Sequence, residues 1–138
     1  MIVFGAPNEV DDHELKAVEC AVEMRKVLDE LNNEWDEVEF SRYWKNHGIN
    51  KVEARAGIHS GSVIAGNIGS DRMLQYSAIG DVVNVAARLE QSNKEFGTDI
   101  CFSHEIYINL KKDLHDNASL SGEIKLKGRS SPLKVYSI

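Results

Sequence analysis

Apolar and polar positions along the chain follow two periods, and the places where one gives way to the other mark the elements. Residues 2–4 (Ile, Val, Phe) form a short apolar run stopped by Gly5 and Pro7, which predicts a buried strand. Asp11 and Glu14 stand at capping-box spacing. Ala17, Ala21, Met24, Leu28 and Leu31 then recur at intervals of three and four, predicting a long helix that buries those residues. From Asn32 to Asn50 the pattern is lost. Trp35, Tyr43 and Trp44 fall there among polar residues, and the simpler reading is a packed connection or helix extension, with a partner-binding arm as the alternative. Residues 52–59 alternate, with Val52, Ala54, Ala56 and Ile58 on one side. "HSGS" turns the chain and residues 63–68 continue, which together read as a hairpin whose second strand ends in the tight loop "GNIGSDRM".

A second helix is predicted from near Asp81 to Gly97. Asp81 is its expected N-cap, Gly97 its terminator, and Val82, Val85, Ala86, Leu89 and Phe96 its buried stripe. Residues 99–102 read as a short strand and 105–110 as a short helix. "EIKLKG" and "LKVYSI" read as two final strands turned by "GRSSP". The predicted order is β-α-β-β-α-β followed by α-β-β, an α+β fold of ferredoxin-like kind with helices on one side of an antiparallel sheet.

Composition narrows the function classes. With 138 residues, 42% of them hydrophobic, the chain has the size of one globular domain with a real core. The net charge of -6 argues against a general nucleic-acid surface, so an anionic ligand must be held by a few placed cations. Cys20 and Cys101 sit inside apolar patterns without metal-ligand or disulfide spacing and read as core thiols. No signal peptide or membrane-length apolar run is visible, so the chain reads as soluble, cytoplasmic and free of membrane contact. The abrupt start at a predicted core strand suggests a larger domain cut at its N-terminus.

The helix in "YSAIGDVVNVAARLE" carries the candidate chemistry. Asn84 and Arg88, at i and i+4, lie off its apolar stripe with Cβ atoms roughly 5–6 Å apart. An amide can exchange hydrogen bonds with sugar oxygens, and a guanidinium can grip phosphate oxygens in a fork. The spacing alone fits an ordinary solvated helix face equally well.

Together with "GIHSGSVIAGNIGS" before it and "IKLKG" after it, this segment resembles the catalytic domain of the class III adenylate and guanylate cyclases. "MIVFGAP" and the helix after it are similar to that family's third strand and following helix, so the resemblance covers nearly the whole chain. It implies a nucleotidyl cyclase fold, here the C-terminal two-thirds of the domain, forming a 3′,5′-cyclic nucleotide and pyrophosphate. ATP is the implied substrate, with GTP open, and a homodimer the implied assembly. Asn84 matches the residue that orients the ribose, Arg88 the one that stabilises the phosphoryl transition state, and Lys127 the lysine that binds the terminal phosphates. Ser77 stands at a position that helps read the base, as in a bacterial subgroup with Ser or Thr there.

The resemblance also implies Mg2+ or Mn2+, held by aspartates that precede "MIVFGAP" in the family and are absent from this sequence, as is the lysine that pairs with the base-reading residue. These 138 residues alone are therefore expected to turn over little nucleotide. The alternative reading is a non-catalytic, cyclase-like nucleotide-binding or regulatory module. His59 in "GIHSG" is read as a hairpin-end histidine with no metal role, and His13, His47, His104 and His115 as isolated.

Overall fold

Close approach of one helix to one glycine organises the molecule, described here from a computed structural model covering residues 1–70, 73–126, 128 and 131–138. The elements in chain order are α1 (His13–Glu37), α2 (Arg42–Lys45), β1 (Ala56–Ile58), β2 (Ile64–Ser70), β3 (Met73–Ile79), α3 (Asp81–Phe96), β4 (Ile100–Ser103), α4 (His104–Tyr107), α5 (Lys112–Asn117), β5 (Ser119–Ile124) and β6 (Leu133–Ser137). Four strands form one sheet in the order β1-β4-β6-β5, parallel between β1 and β4 and antiparallel elsewhere. β2 and β3 form a separate antiparallel ribbon.

Strand alternation puts helices on both faces of the sheet rather than one. Cys101 and Val135 point to the face where Val85 and Leu89 of α3 pack with Leu126 and Leu133. Ile100, Phe102 and Tyr136 point to the other, against Val18 of α1 and Ile106 of α4. On that second face Tyr136 stacks on Tyr107 with ring centroids 3.9 Å apart.

α3 lies on β1 at the position of Gly57. A Cβ there would collide with the Ala86 carbonyl and the Glu90 amide, so only glycine lets helix backbone rest on strand backbone. Asn93, 1% exposed, adds a polar bond between the same two elements. Its Nδ2 donates to the Ala56 carbonyl at 2.9 Å and to the Glu90 carbonyl at 3.0 Å, while its Oδ1 accepts from Thr98 at 2.8 Å. Gly97, at φ 67°, ends the helix as its sequence position predicts.

Several expectations are corrected. Residues 2–4 form no strand: none of the described strands pairs with them, and Ile2 is 62% exposed. Asp12 rather than Asp11 is the N-cap of α1, in a left-handed conformation and with no side-chain cap bond. α1 is partly rotated from the expected stripe, of which Ala21 packs on the core while Ala17, Leu28 and Leu31 are only half-buried. It buries Leu15 and Val18 and leaves Met24 54% exposed. Two polar anchors set that rotation: Arg25 Nη1 donates to the Ile138 carbonyl at 2.7 Å, and the Asn32 amide exchanges two 2.9 Å bonds with the Val52 backbone. β1 pairs with β4, not β2, because the "HSGS" turn carries the chain off the sheet. β2 then pairs with β3 through Gly69, whose φ of 148° admits no side chain against the Met73 carbonyl. α5 was not foreseen, and β5 begins at Ser119, earlier than "EIKLKG" suggests.

The connection after α1 folds onto its end. Trp35, Phe40 and Trp44 form a ring cluster with centroids 5.3–6.1 Å apart. Lys45 Nζ lies 2.7 Å from Asp36. The hydrogen bond from Lys45, reinforced by one from Ser41, holds the Asp36 carboxyl below its ordinary range.

Two outcomes follow from this packing. Gly57→Ala should destabilise the fold by about 3 kcal/mol in urea unfolding, because helix and strand must separate to admit the methyl; a change below about 1 kcal/mol would contradict the close approach. Asp36 is deprotonated more readily folded than unfolded, so its contribution is present above about pH 4 and fades as pH falls. Asp36→Asn should accordingly lower Tm at pH 7 and match the parent near about pH 2.

Candidate functional site

Helix α3 separates a buried from an open face by single-residue steps. Val85 and Leu89 are 2% and 0% exposed, while Asn84 and Arg88, each one residue earlier, are exposed. One residue is about 100° of rotation and four residues rise about 6 Å, so the amide and the guanidinium stand one turn apart on the open side. The helix carries them on a fixed mount through Gly57 and Asn93. Its start is fixed as well: a Cβ at Gly61 would come within 2.7 Å of Val82 Cγ2, so the chain before β2 lies against the first turn. Gly80, rather than Asp81, is the N-cap. Asp81 is the first helical residue, where its charge complements the helix dipole.

Ser77 lies on β3, the strand that runs into α3, and is half-buried. It pairs across the ribbon with Gly66, and a Cβ on Gly66 would meet nothing within 4 Å. Space is therefore open beside the hydroxyl. The register puts Ile64, Gly66 and Ile68 on the same face as Ile79, Ser77 and Met73. On that face Ile64 is 77%, Met73 78%, Ile79 56% and Ile68 38% exposed beside an exposed Gln75, while Leu74 and Tyr76 are exposed on the opposite face. Lys127, the fourth predicted residue, lies outside the described residues.

The structure thus brings Asn84 and Arg88 onto one surface and sets Ser77 on the strand leading into it. The site lies open on this chain. A concavity of about 640 Å³ lies elsewhere, near the end of α1 between Asp29, Asn32, Asp36, Lys45 and Lys51. His59 follows β1 with its side chain 3% exposed, Nδ1 lying 2.8 Å from Ser103 Oγ and 3.9 Å from Glu105. It ties β1 to the end of β4. Among the described residues no group of three His, Cys, Asp or Glu side chains converges to hold a metal ion, and no helix is long and apolar enough to cross a membrane.

The supporting residues that sequence reasoning missed are Gly57, Gly61 and Asn93. Asn93 carried a signal, since it interrupts an apolar stripe four residues after Leu89 and four before a terminating glycine. Gly57 carried one too, as a glycine inside an alternating strand pattern.

Comparison with known proteins gives the arrangement its family. Residues 1–138 match the profile described as the adenylate and guanylate cyclase catalytic domain. Adenylate cyclase 1 of Rhizobium meliloti is 33% identical over 136 residues, which are 99% of this chain and 19% of that protein. An adenylate cyclase of Anabaena cylindrica is 28% identical over 123 residues, 88% of this chain and 24% of that protein. Among solved structures, the guanylyl cyclase Cya2 superposes with a TM-score of 0.73 at 29% identity, covering 97% of this chain and 61% of that one. The adenylyl cyclase CyaB from P. aeruginosa does so with 0.68 at 31%, covering 97% and 63%. The chain spans about a fifth to a quarter of those two curated relatives and about three-fifths of those two solved chains. Its fold is that of the nucleotidyl cyclases, and the chain belongs to the adenylate and guanylate cyclase catalytic domain family.

Proposed function

We propose that this chain supplies one half of a nucleotidyl cyclase active site that converts ATP to a 3′,5′-cyclic monophosphate and pyrophosphate. The observation that carries the reading is the exposed Asn84–Arg88 pair on a helix fixed to β1 by Gly57 and Asn93. Asn84 holds the ribose, whose 3′-oxygen must lie in line with the α-phosphorus. The new bond joins that oxygen to phosphorus, and the bond from phosphorus to the bridging oxygen of pyrophosphate breaks. The hydroxyl proton is lost to solvent. Negative charge grows on the transferring group and the departing pyrophosphate, and the Arg88 guanidinium is positioned to meet it. Lys127 binds the terminal phosphates. Ser77, with open space beside it at Gly66, meets the purine edge. Its hydroxyl both donates and accepts, so ATP preference over GTP is moderate.

The family resemblance brings Mg2+ or Mn2+ with it. The described residues do not fit that role, since no three potential ligands converge. Because the sequence lacks the family's metal-ligating aspartates, these 138 residues alone should turn over slowly.

A second copy completes the site in this reading. A solvated two-stranded ribbon is marginal by itself, and its face of Ile64, Ile68, Met73 and Ile79 is of the kind that a partner covers. Ser77 lies on that face, so a covering copy turns an open surface into a cleft containing it.

Two experiments test the reading. In the complete dimeric domain, Arg88→Ala should lower kcat by about 10²–10³ with little change in KM, whereas Lys127→Ala should also raise KM. An Arg88→Ala enzyme with near-normal kcat would exclude the role, and nucleotide binding without turnover by the parent domain would favour the regulatory module. Separately, Ile64→Glu/Met73→Glu should shift the protein to monomer in sedimentation equilibrium, because two buried carboxylates oppose association; an unchanged dimer would place the interface elsewhere.

A further inference from the structure

Three consecutive residues after β1 each grip a different element. His59, its side chain 3% exposed, has Nδ1 2.8 Å from the Oγ of Ser103, a fully buried residue at the end of β4. Ser60 Oγ donates to Glu14 Oε1 at 2.9 Å, in the first turn of α1. Gly61 lies against the first turn of α3, where its Cβ would come within 2.7 Å of Val82 Cγ2. The contact continues into the next two residues. A Cβ on Gly80, the N-cap of α3, would lie 3.4 Å from the Ser62 carbonyl oxygen and from Val63 Cγ1. The connection from β1 to β2 is thus the surface against which α3 starts.

His59 and Ser103 tie that connection to the sheet. The ladder between β1 and β4 ends with the pair Ile58 and Phe102, and His59 and Ser103 are the residues that follow on each side. A side-chain bond takes over where backbone pairing stops. Both residues are buried there, so removing either group leaves the other without this partner.

α3 is therefore gripped at two places by two different parts of the chain. Gly57 and Asn93 fix its middle and end on β1, through Ala86, Glu90 and Asn93 itself. Residues 61–63 fix its start, through Gly80 and Val82. Asn84 stands in the first turn, two residues beyond Val82, whereas Arg88 lies between Ala86 and Glu90. The amide answers to the connection and the guanidinium to β1.

We infer that His59 is a positioning residue for the cyclase reaction: through Nδ1 and Ser103 it holds the 59–63 connection, and through that connection it sets the first turn of α3 and the amide of Asn84. This rests on the ribose-holding role proposed for Asn84. A ribose held by a displaced amide still binds, but its 3′-oxygen no longer lies in line with the α-phosphorus. The effect belongs on kcat, because Ser77 and Lys127 are outside that turn.

Two isosteres separate this role from packing and from charge. Asparagine places an amide atom where Nδ1 stands, and glutamine places one where Nε2 stands. In the complete domain, His59→Gln should lower kcat by about 10- to 100-fold with KM within about threefold, and His59→Asn should restore most of the rate. Ser103→Ala removes only the other half of the bond and should match His59→Gln, which it replaces in every comparison if that variant does not fold. In an Asn84→Ala background, His59→Gln should lower kcat by less than about threefold further. By NMR, the backbone amides of residues 81–84 should shift in His59→Gln while those of 88–93 keep their positions. A parent domain that binds nucleotide without turning it over would remove the cyclase reading, and those resonances would still decide whether His59 sets the first turn. His59 loses the role if residues 81–84 do not shift, or if His59→Gln has its full effect without the Asn84 amide. It loses it also if glutamine serves better than asparagine, as packing volume predicts, or if both fail equally, as an ion pair with Glu105 predicts.

Discussion

Everything at the candidate site depends on backbone meeting backbone where α3 crosses β1. Gly57 removes the one side chain that would hold them apart, and the Asn93 amide bridges the two elements where they touch. Both features act over distances at which neither element can slide or roll without a collision or the loss of a buried hydrogen bond. A helix held this way can leave one face bare and still present it in fixed geometry. For phosphoryl transfer, which asks the protein mainly to position and to offer charge, a rigid open face is the useful property.

The two helices that dominate the sequence use their apolar stripes differently. In α3, Val85 and Leu89 face the sheet and the polar pair faces out. In α1, the sheet-facing side includes Arg25 and Asn32, each spent on a backbone carbonyl, while much of the apolar pattern points to solvent. The ribbon of β2 and β3 repeats that excess. Among the described residues the centre is well packed, while the β2–β3 ribbon and part of α1 leave apolar side chains exposed.

Local rules recovered what local physics decides. Gly97 as helix terminator, the Val85–Leu89 stripe and the position of Asn84 and Arg88 off that stripe were all readable from spacing and residue type. The three motifs together were enough to recognise the family. Pairing was not readable, because strand partners are chosen by tertiary packing: 56–58 and 64–70 are adjacent in sequence yet belong to different sheets. The rotation of α1 was missed for a related reason, since hydrophobic period alone cannot see that Arg25 and Asn32 have backbone acceptors waiting. Asp11 and Asp81 were each named as caps one position from the residue that serves.

The central claim is that Asn84 and Arg88 meet the nucleotide as a pair on a mount that does not move. It is tested most directly by titrating the complete domain with a non-cyclisable ATP analogue while following the side-chain amide of Asn84, the Nε–H of Arg88 and the buried amide of Asn93 by NMR. The account predicts that Asn84 and Arg88 shift together along one saturation curve while Asn93 stays still. Calorimetrically measured binding that leaves Asn84 and Arg88 unmoved, or that moves Asn93 with them, would contradict it.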